Sequence, residues 1–210
     1  AINKLENSTE LFKDLQYTLA SKLISVDLFN EAYAVLKQLL GVVPFCTYLA
    51  AKALFYAGHC QQSSENFNLF MRETASTKNY LVKRMQLSSL NFMREIARRV
   101  GGQESERLQQ EYLQDILARY NRISPASEEA ERELLLEMIL IIKLEDHHRT
   151  YLTLRKRLLE MSENIEKEPY YRWATLDKLS IASCVPGQYG FSYRCLLQME
   201  RLSVSGPRDF

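Results

Sequence analysis

The sequence predicts an all-α protein, and three observations carry that reading. Apolar residues recur every three or four positions along nearly the whole chain, the period of one face of a helix. Glycine and proline number only 7 and 5 in 210 residues, below their usual share, so tight hairpins are scarce and long helices are favoured. Apolar side chains make up 46% of the chain, ample for a core and too many for a disordered segment. A chain of this length forms one large domain or a short solenoid.

The helices follow in order. The first is expected over 8–26, with Leu11, Leu15, Leu19 and Leu23 at helical spacing. Asp27 ends it and caps a second helix over 28–40. Gly41 is a natural C-terminal stop, and Pro44 suits the first turn of the next helix. A further pair spans 47–71 around the turn Gly58-His59-Cys60. One long helix is expected over 79–100, because no turn residue interrupts it before Gly101-Gly102. Another follows over 104–120. Ser124-Pro125-Ala126-Ser127 then punctuates the chain, and Ser127 with Glu131 resembles a helix start. A strongly apolar helix over 128–143, a cap-like turn at Glu145-Asp146, and a helix to about Asn164 come next. Pro169 precedes a last pair that turns at Gly187-Gln188-Tyr189, after the unusual Val185-Pro186.

The segment Tyr17 to Pro44 resembles one unit of a tetratricopeptide repeat. Leu19 and Ala20 stand where that family places a Leu-Gly pair, and Leu23 fills the bulky position. Asp27 and Phe29 mark the turn, and Ala32 is the small residue of the second helix. Leu36 and Leu39 supply its apolar face, and Pro44 closes the unit. The family's repeat is a thirty-four-residue helix–turn–helix with such an ending. A second unit matches through Ala50-Ala51, Leu54, Gly58-His59-Cys60, Ser63, Phe67 and Phe70. It departs at Ser63 for Ala, Cys60 for Tyr and Ala75 for Pro. A third match comes late, through Trp173, Leu176, Leu179-Ser180, Gly187-Gln188-Tyr189, Ser192, Leu196 and Met199. The resemblance implies a right-handed α-solenoid of about four to five antiparallel hairpins, the middle ones degenerate. The expected divisions are two repeat-like hairpins over 1–76, a long-helix hairpin over 77–123, and C-terminal hairpins over 124–210. A single hairpin cannot bury its apolar stripe, so stacking on neighbours must do so.

The resemblance also implies a role. In this family the first helix of each repeat lines the concave surface that holds a protein or peptide. The corresponding residues are Tyr17, Ser21 and Ile24, then Tyr48, Lys52, Phe55 and Tyr56. Their spacing puts them on one helix face. Tyrosine offers contact area and a polar handle at small entropic cost. The competing reading is that Tyr48 and Phe55 pack against the next hairpin. Lys52 suits an acidic or C-terminal carboxylate, but the first unit lacks the matching cations of a two-carboxylate clamp.

Other chemistries find less support. Lys83, Arg84, Arg94, Arg98 and Arg99 make one helix basic, with Tyr80, Phe92 and Met93 interleaved. That weakly resembles a nucleic-acid surface, yet Glu95 and Glu104 dilute it, and the net charge of +1 gives no overall field. A small-ligand sensor walled by Tyr17, Tyr48 and Trp173 is a further alternative. Glu145-Asp146-His147-His148 is the only acid–histidine cluster, and adjacent helical residues point about 100° apart, which does not suit one metal. Glu133 and Glu137 have di-iron spacing without an accompanying Glu-x-x-His. Nucleophile-elbow, P-loop, dinucleotide and zinc-protease motifs are absent. Neither an enzyme nor a metal or cofactor is expected. Cys46, Cys60, Cys184 and Cys195 form no C-x-x-C pair and are expected as small buried hydrophobes in a reducing, cytoplasmic setting. No apolar run reaches membrane-spanning length. Exposed faces at the ends of a short solenoid make a homodimer plausible. The start at Ala1 and the tail Ser205–Phe210 suggest a regulatory or sensory part of a larger signalling, transcription-control or secretion protein.

Overall fold

The computed structural model describes residues 2–142, 147–163, 169–185 and 187–205. The cap-like turn at 145–146 and the proline at 186 lie outside these. Ten α-helices are described: α1 (Ile2–Ser25), α2 (Phe29–Leu36), α3 (Pro44–Tyr56), α4 (Cys60–Glu73), α5 (Tyr80–Val100), α6 (Gln103–Tyr120), α7 (Glu128–Ile141), α8 (His148–Glu163), α9 (Pro169–Ala182) and α10 (Tyr189–Ser205). A short 3-10 turn, Lys37–Leu39, continues α2. No strand occurs among the described residues. The chain divides into two compact units, 1–123 and 124–210. The first holds the hairpins α1–α2, α3–α4 and α5–α6, the second α7–α8 and α9–α10.

The turns explain themselves from the sequence. Asp27 and Gly58, thirty-one residues apart, both take the left-handed conformation, at φ 61 and φ 84. At each turn the same two backbone bonds close the helix. Asp27 N–H reaches Ile24 O and Leu28 N–H reaches Leu23 O; Gly58 N–H reaches Phe55 O and His59 N–H reaches Leu54 O. This is the Schellman closure, which satisfies carbonyls that a helix end leaves orphaned. Glycine suits the position, and aspartate is among the few other residues that tolerate it. Gly187, before α10, also has a positive φ, 82, but there the Gln188 N–H bonds Val185 O. Helix starts are equally local. Asn79 accepts from Val82 N at 3.2 Å and Ser127 from Ala130 N at 3.1 Å. Pro44 stands at the start of α3.

Within the first unit, α3 packs on both α2 and α1, and α5 on both α4 and α3. One core joins the first two hairpins through Ala20, Ala32, Leu36, Leu39, Leu49 and Ala50. A second joins the next two through Ala51, Phe55, Phe67, Met93 and Ile96. Helix α3 therefore serves two cores at once, Ala50 facing back and Ala51 forward. Ala20, Ala32, Ala50 and Ala51 have no exposure at all, and larger side chains there would hold the helices apart.

Two expectations need correction. Leu11, Leu15 and Leu19 are not the buried face of α1; they are 60%, 60% and 50% exposed, and the buried contact falls on Ala20. Of the cysteines, Cys46 and Cys195 are buried, but Cys60 is half-buried and Cys184 exposed. The second unit has its own core, including Leu135, Met138, Ile139, Tyr151, Leu158 and Leu179. Polar contacts reinforce it. The hydroxyls of Tyr151 and Ser183 pair in the interior, and the buried Arg132 lies 3.5 Å over the Tyr171 ring.

Candidate functional site

The first helices of the hairpins in the first unit, α1, α3 and α5, touch in succession. Their shared surface is the candidate site. Along α3, four predicted residues meet α5. Tyr48 donates its hydroxyl to Ser88 Oγ at 2.9 Å. Its ring contacts those of Phe67 and Phe70, at 6.0 and 5.4 Å between centroids. The Lys52 ammonium sits 5.7 Å from the Tyr48 ring and 5.9 Å from the Phe92 ring. Tyr56 remains nearly half exposed while stacking on Phe29 at 5.3 Å and meeting Phe92 edge-on at 6.1 Å.

Phe55 behaves differently. It is only 4% exposed, packed against Phe92 at 4.9 Å and covered by the Arg99 guanidinium at 4.0 Å. Its place is in the joint between hairpins. Arg99 thus connects two groups of residues that the sequence kept apart. Glu95 holds it there: Arg98 bonds that carboxylate through two nitrogens at 2.9 and 2.7 Å, and Arg99 lies 3.6 Å away. The hydrogen bond from Arg98 is the main reason the Glu95 carboxyl titrates below the usual range. Lys83, Arg84 and Arg94 are half-buried on the same helix.

On α1, Tyr17 is exposed and Ser21 half-buried, while Ile24 packs against the core between the first two hairpins. Tyr17 opens onto a cavity of about 520 Å³. Lys13 and Asp14 line it from α1; Val42, Val43, Pro44, Phe45 and Cys46 line it from the start of α3 and the loop before it. Burial, with a smaller push from the Asp14 carboxylate, raises the pKa of the Cys46 thiol. Lys13, Asp14 and Ser88 escaped sequence reasoning, and Phe92 was read only as part of the basic helix. Only their spacing relative to Tyr17 and Tyr48 on neighbouring helices could have found them.

Trp173 belongs to the second unit, where it is exposed. Among the described residues no group of three His, Cys, Asp or Glu side chains is placed to hold a metal, and no helix is long and apolar enough to cross a membrane. Glu145 and Asp146 lie outside the described residues.

No family model and no curated protein matches the sequence. The fold does have solved counterparts. A crystal structure of a Podosopora anserina protein described as a kinesin light chain, with nearly identical TPR-like repeats, superposes with a TM-score of 0.63. The match covers 91% of this chain and 94% of that one at 14% identity. A point variant of that protein matches equally. Likeness at that identity concerns the fold: this chain is an all-α array of TPR-like helical repeats.

Proposed function

We propose that this protein is a non-catalytic scaffold that binds a peptide segment of a protein partner along the α1–α3–α5 surface. The observation that carries the reading is the row Tyr48, Lys52, Tyr56, Phe92 and Arg99, in which cations lie beside aromatic rings. A lysine held near two rings has fewer rotamers to lose on binding. Partly exposed aromatics beside it offer apolar contact. The row suits a segment that carries an acidic side chain next to an apolar one. The cavity at Tyr17 extends the same surface toward α1. Such capture would make it a regulatory or sensory part of a larger signalling, transcription-control or secretion protein.

The test starts from affinity capture and peptide mapping of the captured partner. The mapped peptide is then titrated against the parent protein, Tyr56→Ala and Lys52→Glu. Each substitution is expected to weaken binding about 5- to 30-fold, the range of about 1–2 kcal/mol. Unchanged affinity in both variants, with folding intact, would remove this surface from the binding role.

A further inference from the structure

Helices α1 and α10 each carry an exposed apolar stripe. We propose that copies of this chain associate head to tail, with α10 of one copy seated on α1 of the next. The inference is independent of the peptide surface described above. Equivalent positions of the repeats carry it.

Ala32 and Leu36 on α2 and Leu39 in the 3-10 turn that continues it are buried where α3 packs, and α3 presents Cys46, Leu49, Ala50 and Ala53 to that contact. The thirty-one-residue offset maps Cys46, Leu49, Ala50 and Ala53 onto Leu15, Thr18, Leu19 and Lys22 of α1, so two of the four positions are apolar there. The repeat pattern likewise maps Ala32, Leu36 and Leu39 onto Ser192, Leu196 and Met199 of α10. In α2 and α4 the second of these positions, Leu36 and Phe67, has no exposure; in α10 Leu196 is 49% exposed. Tyr189 and Tyr193 continue the same open stripe. Ser192 and Met199 are buried within the second unit, so the open part of α10 is Tyr189, Tyr193 and Leu196; no described helix covers that stripe or Leu15 and Leu19 on α1. The larger Leu15 and Leu19 replace Cys46 and Ala50, and the exposed Gly190 on α10 gives room for them.

The area sets the strength. Leu11, Phe12, Leu15 and Leu19 present on the order of 400 Å² of apolar surface, at the scale of patches that mark interaction sites. Tyr189, Tyr193 and Leu196 present roughly as much. With a polar rim the joint buries about 1,200 Å², the lower end for a specific interface. Association is therefore weak and concentration-dependent. It pairs unlike surfaces, where a twofold interface pairs one patch with itself.

Sedimentation analysis of the 210-residue protein tests this directly. The parent should gain average mass steadily as its concentration rises from about 10 μM to about 1 mM, a range set by the small interface. Leu15→Glu/Leu19→Glu and Tyr193→Glu/Leu196→Glu should each stay monomeric alone. Mixed in equal amounts they should form a species of twice the monomer mass and go no further, since each retains one working face. If a Glu variant loses helical circular dichroism, the Gln version takes its place. A parent that stays monomeric throughout, an α10 variant that still self-associates, or a mixture that does not pair would each overturn the proposal.

Discussion

Hairpin α3–α4 in the first unit and hairpin α9–α10 in the second use one internal device and differ in what lies outside it. In each, a serine occupies the small-residue position of the second helix and donates to a carbonyl twelve residues earlier: Ser63 to Ala51 at 2.8 Å, Ser192 to Ser180 at 2.9 Å. In hairpin α1–α2 the same two positions are Ala20 and Ala32, both fully buried. The serine is thus a second way to close the helix pair, with a hydrogen bond added to close approach. The bulky position then separates the two hairpins. Phe67 is fully buried and lies flat on Phe92 of α5, 5.2 Å apart and 9° from parallel, whereas Leu196 is half exposed. The same repeat position is core or surface according to whether another hairpin covers it.

The largest expected effect sharpens that contrast. Phe67→Ala should cost about 3–5 kcal/mol in denaturant unfolding of the first unit, from lost burial and the cavity left among Tyr48, Phe55 and Phe92. Leu196→Ala should change stability by less than about 0.5 kcal/mol, since its surface is already half in water. Similar losses at the two sites would break the comparison. The serines come next. Ser63→Ala and Ser192→Ala should each cost about 0.5–1.5 kcal/mol, and nearly the same amount, because the bonds match in partner and length. A loss in only one would show that the shared geometry is not a shared stabiliser.

A smaller effect concerns the α3–α5 joint that covers Phe67. Glu95 titrates below its ordinary value because Arg98 bonds its charged form. Its stabilising contribution is therefore present above the unfolded carboxyl value, about 4.3, and fades as pH falls through the lower folded value. Its side chain is about a third exposed, so solvent screening keeps the effect under about 1 kcal/mol. Acid titration of the parent should show a slightly steeper loss of stability than Glu95→Gln. Superimposable acid limbs would detach Arg99 and Glu95 from the stability of this joint.

Much of this was legible along the chain. The small residues, the turn at Asp27 and Gly58, and the bulky Leu36, Phe67 and Phe70 fall at fixed offsets, and each is a local requirement of a helical hairpin. Coverage was not legible. The periodicity of Leu11, Leu15 and Leu19 marks an apolar face but cannot say whether a neighbour meets it, and here none of the described helices buries it. Polar joints were also hidden. Gln86 is buried in α5, donating to Thr74 O and Oγ1 at 2.8 and 3.0 Å and accepting from Arg119 at 3.3 Å. Its partners lie 12 and 33 residues away, beyond any pattern within one helix. The candidate site followed the same rule. Tyr48, Lys52 and Tyr56 were found from their own helix, but Ser88, Phe92 and the stacking of Arg99 on Phe55 depend on α5 lying alongside.

Which face of the first unit touches a partner is open to direct test. A photo-crosslinking residue placed at Tyr56, on α3, should capture the mapped peptide, and one at the exposed Asn68, on α4, should not. Capture through Asn68 with none through Tyr56 would contradict the assignment of binding to the α1–α3–α5 surface.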